Sequence, residues 1–203
     1  MRFGIIAAAL SLSMAGCGTR DEDRRIQATA DDDGNLIQAT LPDGTVVNGP
    51  DEYEAAVSEK VPPIAEMKAF NITVQSNGAD GGPGGLKIGR FHILLMPDAS
   101  YLGGCVNHSF LHLKIIVTAD AAAGQPLVEL HLLAWFESSK PCFAVMNTGF
   151  IGYGWCQKIC IKDVKKGVTT TIAGALAAAG LSASVAKISS YLIAPVATTA
   201  LAM

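Results

Sequence analysis

Residues 107–117 read NHSFLHLKIIV, and their side chains alternate without a break. His108, Phe110, His112 and Lys114 fall on one side of an extended chain, and Leu111, Leu113, Ile115 and Val117 fall on the other. Successive side chains of a strand point to opposite faces, so this period of two predicts a strand with one buried and one polar face. Residues 126–137, PLVELHLLAWFE, repeat the pattern: Glu129 and His131 oppose Val128, Leu130, Leu132 and Phe136. In residues 86–96, LKIGRFHILLM, Arg90 and His92 share a phase. Strands with a single polar face are characteristic of antiparallel sheets.

Working outward, residues 67–76 (MKAFNITVQS) predict a fourth strand, and residues 143–164 predict one or two more. Gly149, Gly152 and Gly154 allow bends within that last stretch. The glycine-rich run 77–85 is a loop, and residues 97–104 and 119–126 join the later strands.

Beyond the sheet the chain changes period. Val168, Ile172 and Leu176 form one stripe at four-residue steps, and Leu181, Val185, Ile188 and Leu192 form a second. At 100° per residue the two stripes lie on opposite sides of one continuous helix, but face the same way if the chain turns at Gly180. Glycine closes helices, serine caps them and proline ends them. Two helices are therefore expected, about 167–179 and 182–194, with Gly180, Ser182 and Pro195 as punctuation. Each is short of a bilayer's ~30 Å of hydrocarbon at 1.5 Å per residue. Ile172, Leu176, Leu181, Val185, Ile188 and Leu192 are the candidate packing or membrane contacts. The fold class is α+β: an antiparallel sheet or small β-sandwich followed by a C-terminal helical pair.

The N-terminal third differs in charge. Residues 17–66 hold twelve acids and four bases, whereas residues 67–203 hold six acids and ten bases. Residues 18–35 have almost no large apolar side chains, a composition that cannot offset ordering entropy, so 17–35 is expected to be a disordered tether. Residues 36–66 are expected to form an acidic appendage: a hairpin around Pro42–Asp43–Gly44, then a helix opening at Pro50. The remaining divisions are a β-rich domain at 67–166 and the helical pair at 167–203, on or beside it.

The first residues, MRFGIIAAALSLSMAGC, give a positive start, an apolar run of about ten residues and small residues before Cys17. That order is a signal peptide, 1–16, too short to span a membrane permanently. The stretch Ser13-Met14-Ala15-Gly16-Cys17 resembles the lipobox of bacterial lipoproteins, with Met14 standing where leucine is usual. The resemblance implies cleavage after Gly16 and diacylglycerol, with palmitate-type acyl chains, on Cys17. Gly18 at the next position implies sorting to the outer membrane. Two or more acyl chains hold a protein to a bilayer where one binds reversibly.

Export sets the redox state of the other cysteines: Cys105, Cys142, Cys156 and Cys160. An even number in an exported domain predicts two disulfides. Cys105–Cys142 is the favoured pair. Cys156 and Cys160 lie ~13 Å apart in a strand, so they pair only if a turn separates them.

No local motif supports catalysis. The acidic run Asp31–Asp33 lacks the twelfth-position acid of a calcium loop, residues 77–85 lack the lysine of a phosphate loop, and Ser109 and Ser138 have no nucleophile-elbow context. Nothing basic and aromatic-rich points to nucleic acid. His92, His108, His112 and His131 are candidate metal ligands, but His108 and His112 are ~13 Å apart in a strand. The expected reading is a solvated histidine-bearing face, with no cofactor. The expected function is that of a non-enzymatic, lipid-anchored envelope protein, a binding or membrane-contact module. Two alternatives stand beside it: a toxin-like membrane-active protein using the apolar tail, and an enzyme or metal binder using the histidine face. The partners expected are the membrane, through the anchor, and a protein or a second copy, through the C-terminal helices.

Overall fold

A computed structural model describes residues 25–76, 89–98, 110–119, 126–147, 155–160 and 164–201. Cys105 and His108, and residues 1–17 with the expected signal peptide and lipidation site at Cys17, lie outside the described residues.

Among the described residues nine strands form one sheet: β1 (Arg25–Ala30), β2 (Leu36–Thr40), β3 (Val46–Asn48), β4 (Phe70–Ser76), β5 (Arg90–Pro97), β6 (Leu111–Ala119), β7 (Val128–Glu137), β8 (Lys140–Asn147) and β9 (Trp155–Cys160). The helices described with it are α1 (Gly49–Lys60), α2 (Val164–Ala178) and α3 (Ala183–Ala200). The spatial order is β3-β2-β1-β4-β5-β6-β7-β8-β9. Every neighbouring pair is antiparallel except β1 and β4, which run parallel from Arg25↔Asn71 to Ala30↔Ser76. The fold is α+β. Among the described residues there is one sheet covered by helices rather than a sandwich of two.

The core lies between the sheet and the helices. Ile26, Ile72, Ile93, Ile115, Leu130 and Val145 face Ile172, Leu176, Ile188 and Leu192 in one apolar cluster, each 1 % exposed or less. The alternation set the inward face correctly for Leu113, Ile115 and Val117 and for Val128, Leu130 and Leu132, whereas Leu111 and Phe136, assigned to the same face, are exposed at 42 and 63 %. All six apolar tail candidates are buried, Leu181 the most exposed at 5 %.

Helix α2 ends in paired backbone bonds, from Gly180 N–H to Ala177 O at 2.9 Å and from Leu181 N–H to Leu176 O at 3.2 Å. That 5→2 and 6→1 pattern needs a left-handed residue at the turn, and Gly180 supplies it with φ +88°. Ser182 then caps α3, its side chain accepting from Val185 N–H at 3.3 Å. The phase break read from the sequence is thus a helix–turn–helix reversal. Pro195 does not end α3, which runs on to Ala200 with the proline buried inside it. A proline costs a helix one backbone bond, and core packing offsets that cost here. No described helix is long and apolar enough to cross a membrane.

Two N-terminal expectations change. Residues 25–30, grouped by composition with the tether, form β1, whose Ile26, Ala28 and Ala30 point into the core at 0, 3 and 0 % exposure. Their small apolar area is useful only because β4 lies alongside. Residues 36–60 are not an appendage: β2 and β3 extend the sheet. Helix α1 buries Tyr53 and Val57, and the Tyr53 hydroxyl donates to Leu192 O at 3.1 Å.

Among the described residues a disulfide joins Cys142 to Cys160. It replaces the expected Cys105–Cys142 pair, because β8 and β9 are antiparallel neighbours with Cys142 directly opposite Cys160. It closes a loop with a sequence separation of 18. Loop-closure entropy at that length is worth roughly 3 kcal/mol. We expect Cys142→Ala/Cys160→Ala to lower unfolding stability by about that amount. Urea denaturation measures it, and the oxidised wild type treated with reductant should match the variant.

Candidate functional site

The face of the sheet turned away from the helices carries the chemistry. In the β6–β7 register Lys114 lies opposite His131, Ile116 opposite Glu129 and His112 opposite Leu133. The polar side chains of this face therefore form a diagonal. His112 Nε2 lies 2.7 Å from His131 Nδ1, and His131 Nε2 lies 3.0 Å from Glu129 Oε1. Lys114 Nζ reaches the same Glu129 oxygen at 2.9 Å. Asp98, just past β5, is drawn in by its backbone N–H, which donates to His112 O at 3.1 Å. Its Oδ2 sits 3.8 Å from His131 Nδ1.

This corner is not a solvated face. His112 is 6 % exposed and His131 only 2 %. Leu133, Trp135, Cys142, Ala144 and Met146 form a second apolar cluster, with Phe110 against it. Phe110 also meets the His112 ring edge-on, centroids 6.1 Å apart. The expectation of solvated histidines is corrected for His112 and His131, because apolar neighbours share their face.

A carboxylate accepts but does not donate, so the Glu129 contact places the N–H of neutral His131 on Nε2. The Nδ1 lone pair then points toward His112 and Asp98. Burial pushes the Glu129 carboxyl up, but hydrogen bonds from Lys114 and His131 outweigh it and hold the pKa below the ordinary 4.5. Glu129 is thus an anion at neutral pH, matched to Lys114 and to the His131 N–H.

His92 belongs to the same face but not to this cluster: its Nδ1 lies 3.0 Å from Thr73 Oγ1, its partner on β4. It is four residues from Met96, which pairs with Lys114, so ~13 Å of strand separates it from the His112–His131 pair. Asp98 was not among the candidates. It reads as loop, and only the β5–β6 register brings it to His112.

Farther along the face, Lys158 pairs with Glu137 at 2.8 Å and lies 5.4 Å from the centre of the Trp135 ring. The Cys142 and Cys160 sulfurs approach Glu137, but the disulfide occupies both. Elsewhere, a cleft of about 480 Å³ is lined by Ile26, Leu41, Val57, Val61 and Phe70, with the Asp43–Lys60 pair also on its wall. No cluster of convergent polar groups lines it.

Comparison with family models, with curated proteins and with solved structures finds no match to this chain.

Proposed function

We propose that this is a lipid-anchored protein of the bacterial cell envelope, held by acyl chains on Cys17 to the outer membrane, and that it works as a non-enzymatic binding module. The stretch Ser13–Cys17, behind its short apolar run, carries the reading. A disulfide between Cys142 and Cys160 fits an oxidising compartment. The division of the sheet supports the choice of binding face: helices cover one side, and the other holds the buried histidine pair with its carboxylates. A membrane-active tail is the weaker reading. Such a tail would first have to withdraw Ile172, Leu176, Ile188 and Leu192 from the core, where each is fully buried.

Palmitate labelling in a Gram-negative host tests the anchor. Wild-type protein should incorporate label and fractionate with the outer membrane. Cys17→Ser should lose both the label and membrane association, and remain folded in the soluble exported fraction. Label that persists in Cys17→Ser, or a mature protein retaining residues 1–16, rejects the proposal.

A further inference from the structure

We propose that Asp98, His112 and His131 form a site for one zinc ion, bound through the Asp98 carboxylate, His112 Nε2 and His131 Nδ1. The ligand atoms of these three residues all lie within 4.8 Å of one another. A zinc ion with bonds of about 2.0–2.1 Å sets tetrahedral ligand atoms roughly 3.3 Å apart. The observed separations straddle that value: 2.7 Å between the imidazole nitrogens and 3.8 Å from His131 to Asp98. Zinc binding would open the first by about 0.6 Å and close the second by about 0.5 Å, and would bring the third, His112 to Asp98, from within 4.8 Å to the same value.

Three features favour zinc over a bare histidine–histidine hydrogen bond. Glu129 holds His131 in the tautomer whose Nδ1 is a ligand, and a carboxylate on the far nitrogen of a metal-bound histidine is the usual outer partner. Asp98 brings a carboxylate oxygen to the same side of the His131 ring as His112, so that a cation placed there would meet all three ligand atoms. Finally, two imidazoles and a carboxylate are the donor set of three-ligand zinc sites that keep a fourth position open. The strands that carry the two histidines, β6 and β7, lie inside the sheet rather than at its edge, and Asp98 follows directly on β5 beside them.

The inference rests on the reading that this face is the binding face, but not on the anchor. Mature full-length protein in detergent, stripped with a chelator and with free thiols alkylated, is titrated with zinc by calorimetry and with cobalt by absorption. The expected result is one ion per chain, with visible cobalt bands and no thiolate charge-transfer band. His131→Gln and His112→Gln should each weaken binding by about 100-fold or more, and Glu129→Gln by about 10-fold. His92→Gln should match wild type. Zinc should raise the melting temperature of wild type and leave that of His131→Gln unmoved. Asp98→Asn, at a partly exposed strand end, covers the case in which a histidine variant does not fold, and should weaken binding at least 10-fold. Absence of stoichiometric binding overturns the proposal, as does binding that survives Asp98→Asn and His131→Gln unchanged. Cys17→Ser should bind zinc like wild type, so failure of the anchor and failure of the metal site are read separately.

Discussion

Gly34→Ala should destabilise the protein by about 3 kcal/mol or more, while Gly44→Ala should cost only about 1–2 kcal/mol. Both glycines sit in tight turns with left-handed backbone, φ +73° and +84°. An L side chain in that region costs about 1–2 kcal/mol wherever it occurs. The difference lies in what a new Cβ would touch. At Gly44 nothing lies within 4 Å. At Gly34 the Ser184 carbonyl oxygen would stand at 2.2 Å, with the carbonyl carbon and Cα of the same residue at 2.8 Å. Backbone of a capped helix cannot swing aside like a side-chain tip, so the β1–β2 turn or the start of α3 must move. Movement also breaks the bonds from Lys187 Nζ to Asn35 Oδ1 at 2.7 Å and to Asp33 O at 3.4 Å. Those bonds dock the turn on α3, and overpacking of this kind adds roughly 1–3 kcal/mol. Urea midpoints of the two variants, compared with wild type, measure the effect. Equal losses at the two positions would show that the turn and the helix are not in contact.

That prediction is opposite to what composition implies. A run with Asp31, Asp32, Asp33, Gly34 and Asn35 reads as tether, where any glycine tolerates alanine. In the fold, Asp31 Oδ1 instead accepts from the N–H groups of Asp33 and Asn35 at 3.0 and 2.7 Å, closing a compact turn. Local composition carries no record of β4, the strand that gives β1 its burial, nor of Lys187, the single charge on the two C-terminal helices beyond Lys166. Where burial was decided by the chain's own alternation, as for Leu113, Ile115, Val117, Val128, Leu130 and Leu132, the inward face was legible. Where it was decided by a distant partner, they were not.

The hairpin between β7 and β8 was obscure for a related reason. Ser138 and Ser139 take positive φ, 50° and 66°, in a two-residue turn that asparagine and glycine usually fill. Without those residues the turn has no signature, and β8 could not be seen to begin at Lys140. The disulfide inherited the same blindness: only the pairing of β8 with β9, in the register the fold adopts, sets Cys142 opposite Cys160. The site divides in the same way. That His112, Lys114, Glu129 and His131 share a face follows from phase alone, but their meeting, and the arrival of Asp98, depends on register. Register is set by turn lengths and the sheet as a whole.

Removal of residues 167–203 should abolish folding, and this is the largest effect we expect. Helices α2 and α3 cover the inner face of the sheet, including Phe91, Leu95, Leu113, Leu132 and Phe143, each fully buried. Stripped of its helices, that face is an apolar surface far larger than monomeric proteins leave in water. Burying one such side chain is worth about 1.5–3 kcal/mol, and whole domains are stable by only about 5–15 kcal/mol. Exposing a handful is therefore enough to unfold the chain. The same arithmetic bears on membrane insertion of the tail. The helices would regain an apolar environment in lipid, but the sheet they left would not. Ile172→Ala and Leu192→Ala separate packing from insertion, since each should cost about 2–5 kcal/mol in urea melts without any lipid present. A chain ending at residue 166 should show no cooperative melting transition and no near-ultraviolet dichroism. A truncated chain that instead melts cooperatively, while the full-length Cys17→Ser protein floats with liposomes, would make the tail a detachable membrane element, and the sheet would need another source of cover.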